Sequence, residues 1–317
     1  MSQDPLPVGI SACLLGENVR YDGTHKLDRY LRHTLGQFVR FVPVCPEVEC
    51  GLPVPREAMR LVGDPERPRL MTINSKQDLT EQMEHWAEGR LQQLEQEGLC
   101  GFIFKSKSPS SGLYRVKVYT EAGMPGRIGT GIWARRFTER FPLLPAEDDG
   151  RLHDPVIREN FITRLFVTRR WQDLLQSGPS LGRLIDFHTR HKLLLLAHSV
   201  PIYRELGKLL ADGKKMSLDE LCTVYEERFF HGLRHYATVK KNVNVLYHIL
   251  GHFKKDLTPD EKQEVVEIIQ QYAGGLIPLV VPVTLLNHFV RKYGKDYLAD
   301  QCYLRPHPTE LRLRNHV

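Results

Sequence analysis

The spacing of apolar residues divides the chain into two parts with different predicted secondary structure. In the first 150 residues, short apolar runs typical of buried strands alternate with segments that have apolar residues at helical spacing. The strand-like runs are PVGISACLL (7–15), QFVRFVPVCPE (37–47) and GFIFKS (101–106), and the helical segments are HKLDRYLRHTLG (25–36) and LTEQMEHWAEGRLQQLEQEG (79–98). In the second helix, Thr80 is the predicted cap. This alternation predicts an α/β, Rossmann-like N-terminal domain with a parallel sheet.

From about residue 156 onward, only helical spacing is found. The predicted helices span 157–176, 181–198, 202–212, 217–232, 240–255 and 282–303, and a further helix starts after Thr258. In that helix Thr258 is the cap, Pro259 the first helical residue and Glu261 the reciprocal capping carboxylate. The sequence therefore predicts an α/β domain at 1–150 followed by an all-α helical C-terminal domain at 151–317, with the acidic, proline-bounded segment 143–155 as the linker.

Length, charge and hydropathy limit the classes of protein to which the chain can belong. A chain of 317 residues is long enough for two domains. Its longest apolar run, at 276–286, is interrupted by two prolines and is too short to span a bilayer. The first residues lack a basic start and a long apolar stretch, so we expect a cytoplasmic protein with reduced thiols. The net charge of +6 is spread along the chain and permits an anionic partner without indicating one.

Three cysteines follow the predicted strands at their carboxyl ends, where parallel sheets bind ligands. Cys13 ends the first strand, and Cys45 and Cys50 flank Glu47 after the second. Reduced thiols in such a cluster favour metal binding or catalysis over a disulfide. Three thiolates can hold a metal centre that keeps one coordination position open: either a zinc ion with a bound water, or a four-iron cluster with one iron not bound by cysteine. The alternative is that the three cysteines are ordinary buried apolar side chains. Cys100 starts its strand, about 20 Å from the carboxyl end of that strand, so we leave it out of the predicted site.

The motifs around these cysteines resemble a known family. The segments ISACLLGENVRYDG, VCPEVECGLPVPRE and FKSKSPSSG are similar to the DUF523 family, whose characterised members are thiouracil desulfidases, and the C-terminal half resembles the DUF1722 domain. The resemblance implies cleavage of a carbon–sulfur bond in a thiolated uracil without net redox change, by a [4Fe-4S] cluster held by three cysteines. It leaves open whether the substrate is a free thiouracil, a thionucleoside or a base in tRNA.

The resemblance also implies roles for individual residues. Cys13 matches the cysteine of SACLLG, Cys45 that of CPE, and Glu47 the acid of the same motif. The third family cysteine follows the serine-proline-serine motif, where this chain has Ser111, so we assign Cys50 as the third cluster ligand. The thiocarbonyl sulfur would bind the open iron, water would attack the carbon, and Glu47 would act as the acid or base.

The remaining predicted site residues contact the substrate or the attacking water. Ser108, Ser110 and Ser111 would bind the pyrimidine edge or the water, or serve only as turn-forming side chains. Arg20 and Tyr21 would contact the base beside a tight turn at Asp22 and Gly23. Lys105 and Lys107 alternate along a strand, so only one can face the site, and we assign Lys105.

Two rival functions belong to other classes of protein. A non-catalytic module that binds nucleic acid or protein would use the basic pairs and aromatic residues of the helical domain: Arg169, Arg170, Lys240, Lys241, Lys254, Lys255, Tyr236, Tyr247 and Phe253. A zinc hydrolase would contain no iron or sulfide. The histidine pairs His188 and His191, His231 and His235, and His248 and His252 lack the glutamate of a zinc-protease motif, and we interpret them as structural.

Overall fold

A computed structural model describes residues 5–316, and the chain divides after Asp154 into two compact units. The first unit contains two sheets and four α-helices. Its strands are β1 Leu6–Ser11, β2 Val39–Val44, β3 Met59–Val62, β4 Arg69–Thr72, β5 Phe102–Phe104, β6 Val116–Tyr119, β7 Pro125–Gly129 and β8 Ala146–Asp148; its helices are α1 Arg29–His33, α2 Pro46–Glu49, α3 Thr80–Gln96 and α4 Ile132–Arg140. The predicted α/β fold class of this part is confirmed.

The first sheet is the predicted parallel sheet, with strand order β2-β1-β5-β8. All three neighbouring pairs run parallel, and β1 pairs with β2 along its whole length, from Leu6 opposite Val39 to Ser11 opposite Val44. One core of the unit joins β2 and β5 to α3 and α4, with the rings of Phe102, Trp133 and Phe137 in mutual contact. The parallel order brings the carboxyl ends of four strands to one edge.

A second sheet, with order β4-β3-β6-β7, was not predicted from the sequence. It is mixed, because β3 runs antiparallel to β4 and parallel to β6, and β6 runs antiparallel to β7. Its strands span only four or five residues each, and β7 is largely exposed. Strands this short give little periodicity in the sequence.

Two local predictions in the first unit were wrong. The linker assigned to 143–155 contains β8, because Glu147 and Asp148 are buried although they are acidic. The Asp148 carboxylate accepts the backbone N–H groups of Leu113 and Tyr114 at 3.0 and 3.2 Å. Thr80 is the first residue of α3 and not its cap, since its hydroxyl accepts the Leu70 N–H at 2.8 Å.

The second unit is helical, as predicted, and its described residues contain no strand. Its helices are α5 Pro155–Gln176, α6 Leu181–His198, α7 Val200–Ala211, α8 Leu218–Arg234, α9 Val239–Gly251, α10 Pro259–Ala273, α11 Val280–Lys292 and α12 Asp296–Ala299. The capping box of Thr258 and Glu261 at α10 is confirmed. The predicted helix 282–303 is two helices, because the chain turns at Gly294 with φ +58. Within residues 5–316, no helix is both long and apolar enough to cross a bilayer.

Candidate active site

The ends of β1, β2 and β5 surround a cavity of about 250 Å³ in the first unit. β1 supplies the turn with Cys13, β2 supplies Cys45 and Glu47, and β5 supplies the loop that starts at Lys105. The residues that line the cavity are Ser11, Ala12, Cys13, Val19, Arg20, Tyr21, Cys45, Pro46, Glu47, Arg56, Lys105, Ser106, Lys107, Ser108, Pro109 and Ser111. The lining thus contains eight of the ten predicted site residues and lacks Cys50 and Ser110.

Two thiols face this cavity. Cys13 lies in the short turn Ala12–Leu15 directly after β1, and Cys45 caps the first turn of α2, where its backbone N–H donates to Glu49 Oε1 at 2.8 Å. Burial raises the pKa of Cys13 to about 12 and also raises the pKa of Cys45. Buried thiols of this kind become thiolates when a metal binds them. The pair can therefore hold a soft metal centre.

The third predicted thiol lies outside the cavity lining. Cys50 ends α2, donates its S–H to the Glu47 carbonyl at 3.3 Å and packs with Leu52 and Met59 in a separate small core. Ser111 occupies the lining instead and is 3 % exposed, and its hydroxyl makes no hydrogen bond with any described residue. Among residues 5–316, no three His, Cys, Asp or Glu side chains form a metal-binding group. The cavity presents two thiols and one buried hydroxyl.

Glu47 is held from two sides. Arg56 donates to its Oε2 through Nε at 2.9 Å and through a second, shorter contact from Nη2, and Arg56 is itself buried with only 5 % of its side chain exposed. Ser110 donates to Oε1 at 2.6 Å. Oε2 accepts two hydrogen bonds from Arg56, whereas Oε1 accepts one from Ser110 and keeps a second lone pair. Glu47 is thus a fixed acceptor at the cavity wall.

The serine loop continues this network. The Ser110 hydroxyl proton goes to Glu47, so the 3.0 Å contact between Ser108 and Ser110 has Ser108 as its donor. Ser108 also accepts the Ser111 backbone N–H at 3.2 Å. Ser108 lines the cavity and Ser110 lies behind it, 1 % exposed. The result is an ordered chain of hydroxyls from the cavity to the carboxylate.

Both lysines after β5 line the cavity, so the prediction that only one could do so was wrong. The strand ends at Phe104, and Lys107 takes a left-handed backbone with φ +61 that breaks the alternation. Lys105 Nζ is fixed by Asp149 at 2.8 Å. Burial acts to raise the pKa of Asp149, but the hydrogen bond and charge of Lys105 outweigh it and lower the pKa. Lys107 is the more exposed of the two.

The predicted turn beside the cavity is present. Thr24 N–H donates to Asp22 Oδ1 at 3.1 Å, and Gly23 adopts φ +74, which a residue with a Cβ rarely does. Arg20 reaches Thr24 at 2.8 Å and lies over the ring of Tyr21, which is 44 % exposed. Tyr21 therefore offers an accessible aromatic edge to a planar ligand.

Two residues of the site had no assigned role in the sequence interpretation. Arg56, which orients Glu47, comes from the segment after Cys50, and Asp149, which orients Lys105, comes from the segment assigned to the linker. The signal for Asp149 was the run of three acidic residues before Gly150, directly after an apolar stretch. Neither partner can be assigned without the tertiary structure, because 9 and 44 positions separate the members of the two pairs.

The serine loop depends on a glycine at its point of contact with α4. A Cβ on Gly131 would lie 2.5 Å from the Ser110 carbonyl oxygen and 2.9 Å from the Ser111 nitrogen. We expect Gly131→Ala to lower the free energy of unfolding by about 1–3 kcal/mol, because backbone must move to admit the methyl group. Gly89→Ala is the control: it lies in α3 with no atom within 4 Å, so it should leave stability unchanged or raise it by up to about 1 kcal/mol. Urea unfolding of both variants measures this, and equal effects would contradict the role of Gly131.

Several histidines and basic residues of the helical unit have structural partners. His188 contacts the Tyr225 hydroxyl at 3.1 Å, and His191 Nδ1 bonds the Phe187 carbonyl at 2.7 Å. Arg169 pairs with Asp173, and Lys241 donates to the carbonyls of His198 and Tyr236. Burial lowers the pKa of His188 to about 4 and that of His191 to about 3. These rings are neutral at pH 7.

Acid should destabilise the helical unit for this reason. The pKa of His191 is about 3 and that of His198 about 4 in the folded chain, and burial is the main cause. The unfolded chain takes up these protons near its ordinary pKa of about 6.5, so stability is present above that pH and is lost as the pH falls toward the folded values. Between pH 7 and pH 5 we expect a loss of about 2 kcal/mol per ring.

The measurement is urea unfolding at pH 7 and pH 5. Unfolding is monitored by the fluorescence of Trp171 in a protein in which Trp86 and Trp133 are replaced by phenylalanine. His248→Gln is the control, because His248 is exposed and its replacement should not alter the pH dependence. His191→Gln should reduce it. An unfolding free energy that stays constant between the two pH values would contradict the assignment.

Comparison with known proteins gives matches in both units. A family model described as 2-thiouracil desulfurase matches residues 8–149, and a model described as a protein of unknown function, DUF1722, matches residues 192–308. The chain is 32 % identical over 158 residues to the uncharacterised protein YbgA of Escherichia coli (strain K12), an alignment that covers 50 % of this chain and 94 % of that protein.

One solved structure is also similar. It is described as a [4Fe-4S]-dependent thiouracil desulfidase, TudS (DUF523Vcz), and is 30 % identical to this chain. The match covers 48 % of this chain and 95 % of that one, with a TM-score of 0.38.

Proposed function

Since residues 8–149 of this chain match the 2-thiouracil desulfurase family and residues 192–308 match DUF1722, the chain joins these two domains, and we propose that it is a thiouracil desulfidase. Its reaction would be the replacement of sulfur by oxygen in a thiolated uracil: one water is consumed, the carbon–sulfur bond breaks, a carbon–oxygen bond forms and sulfide leaves. The oxidation states do not change. The observation that carries the proposal is the cavity at the strand ends of the matched domain, whose lining contains a buried thiol, a half-buried thiol and a fixed carboxylate.

Two side chains of this cavity are of the type that holds an iron–sulfur cluster. Cys13 and Cys45 would be cysteine ligands of a [4Fe-4S] cluster, since thiolates are the usual ligands of such clusters. When bound, the cluster would supply an iron without a protein ligand as an acceptor for the substrate sulfur. For the third protein ligand, we propose Ser111 in place of Cys50. Ser111 lines the cavity beside Cys13 and Cys45, whereas Cys50 lies outside the lining and packs against a separate core.

The chain's own side chains account for the remaining chemistry. Glu47 would accept a proton from the attacking water at Oε1, because Arg56 and Ser110 hold its carboxylate at the cavity wall and Oε1 keeps one lone pair. The hydroxyl chain from Ser108 through Ser110 would carry a proton to or from that carboxylate. Lys105, fixed by Asp149, would hydrogen-bond the pyrimidine carbonyl that is not attacked.

The other wall of the cavity would orient the base. The accessible edge of the Tyr21 ring would pack against the flat pyrimidine, and Arg20 beside it would donate to an exocyclic oxygen. The cavity volume of about 250 Å³ suits a thiolated base, with a sugar extending from its mouth. The proposed substrates are therefore thiouracil and its nucleoside.

The test is anaerobic purification with iron and sulfide analysis, followed by a sulfide-release assay on 2-thiouracil and 4-thiouracil. We expect iron and acid-labile sulfide in equal amounts, approaching four of each per chain, and stoichiometric release of sulfide and uracil. Zinc without labile sulfide would indicate a hydrolase instead. Metal-free, folded protein that releases no sulfide would refute the proposal.

A further inference from the structure

The helical unit contains a second cavity, which is lined by both polar and apolar side chains. It has a volume of about 380 Å³ and is formed by α5, α6, α9, α10 and the C-terminal segment. This volume is that of a small-molecule site and exceeds that of the cavity in the first unit. Its apolar wall includes Leu194, Ala197 and Leu279. The lining also holds buried polar side chains from four of these elements.

Three of those side chains are more than nine-tenths buried and have unused hydrogen-bonding atoms. His198 is 4 % exposed, and its Nδ1 is committed to the His235 carbonyl at 2.6 Å, which leaves Nε2 as an acceptor without a partner. Asn160 uses its amide nitrogen on the Leu233 carbonyl at 3.0 Å, so its Oδ1 is unused. Tyr272 accepts from Asn242 at 3.2 Å and has no acceptor for its own proton.

An ion pair that lines the same cavity uses only some of its hydrogen-bonding atoms. Arg314 Nε donates to Glu159 Oε1 at 3.0 Å and its Nη1 donates to the Tyr303 carbonyl at 2.7 Å. Glu159 Oε2 and Arg314 Nη2 make no hydrogen bond with any described residue. A carboxylate oxygen beside a guanidinium N–H is the complement of an N–H next to a carbonyl. These polar atoms line one cavity and have no partner among the described residues, so a ligand or ordered water in the cavity can complete their hydrogen bonds.

The charges of the lining select the class of ligand. Glu159 and Arg314 neutralise each other, and burial lowers the pKa of His198 to about 4, so its ring is uncharged at pH 7. Burial also raises the pKa of Tyr272, which stays protonated. Lys241 is satisfied by the carbonyls of His198 and Tyr236. An ion would therefore lose its hydration without gaining a counter-charge.

We propose that this cavity binds an uncharged pyrimidine lactam, a uracil ring as the free base or its nucleoside. The N–H and carbonyl groups along one ring edge match the unused atoms of Glu159 and Arg314. The remaining N–H or ribose hydroxyls match His198 Nε2 and Asn160 Oδ1, and a carbonyl matches the Tyr272 hydroxyl. Tyr236 and Tyr303 add aromatic surface to the lining. The choice of uracil among lactams rests on the proposed function of the first unit, whose reaction yields that ring.

The test is calorimetric titration of the full-length Cys45→Ser protein with uracil, uridine and uridine monophosphate. Cys45→Ser removes the desulfidase site's cofactor ligand, so binding is measured apart from turnover and a failed desulfidase assay does not decide this result. We expect one site per chain for uracil or uridine and weaker binding of the monophosphate. The ratio of the first two affinities shows whether base or nucleoside is the ligand.

Tyr272→Phe should weaken that binding on the order of ten-fold, because it removes one hydrogen bond to the ligand. Tyr247→Phe is the matched control, since Tyr247 is exposed on α9 outside the cavity, and should bind like the parent. Glu47→Gln, in the first unit, should also bind like the parent. The proposal is overturned if neither uracil nor uridine binds at millimolar concentration, if the monophosphate binds more tightly, or if Glu47→Gln and not Tyr272→Phe removes the binding.

Discussion

Replacing Cys45 with serine is expected to remove iron and labile sulfide from the anaerobically purified protein and to reduce sulfide release from 2-thiouracil to background. Cys45 lines the cavity and follows β2 directly, so no other thiol can take its place there. Loss of a group that only hydrogen-bonds a metal ligand lowers metal affinity or activity by about 10–100-fold, and loss of the ligand itself should lower them further. Metal analysis and turnover on the same preparation provide the measurement.

The same experiment distinguishes the two proposals for the third ligand. Cys50→Ser is expected to retain at least half of the parent's iron, because the Cys50 thiol bonds the Glu47 carbonyl and packs in a separate core. Ser111→Cys is expected to raise the iron content per chain or to slow its loss in air, since it places a third thiol in the cavity lining. Loss of all iron in Cys50→Ser, with no gain in Ser111→Cys, would restore Cys50 as the ligand.

Glu47→Gln is expected to lower kcat for sulfide release by about 100- to 10,000-fold while leaving the iron content close to that of the parent. The substitution keeps the shape of the side chain but removes a proton acceptor, and general acid–base groups contribute rate factors of this size. Steady-state kinetics with iron analysis tests it. A change in KM alone would instead assign Glu47 to substrate binding.

The matched control for this variant is Glu84→Gln. Glu84 also pairs with an arginine, Arg135 at 2.8 Å, but lies outside the cavity lining. Its replacement should leave kcat within about two-fold, because a partly exposed ion pair contributes little to the fold. Equal losses of kcat in both variants would mean that the Glu47 effect arises from stability and not from catalysis.

Several features of this protein were determined by the sequence alone. Alternation of short apolar runs with helical segments predicted the parallel sheet and the helical second domain, since burial on both faces of a strand and on one face of a helix leaves distinct periodicities. The capping box at Thr258 and Glu261 was also predicted, because both partners lie within one turn. The strand ends at Cys13 and Cys45 predicted where the site lies, because parallel strands end at one edge.

The tertiary structure decided the features that depend on distant partners. The strand at Ala146–Asp148 looks like a linker in the sequence, because its buried Asp148 is satisfied by backbone groups more than 30 positions away. Lys107 faces the cavity only because its backbone turns at φ +61. Cys50, the cysteine nearest to Cys45 in the sequence, packs against a separate core. Ser111 instead lines the cavity, because its loop packs on α4. Side-chain direction at the end of an element depends on what packs around it, and local sequence does not contain that information.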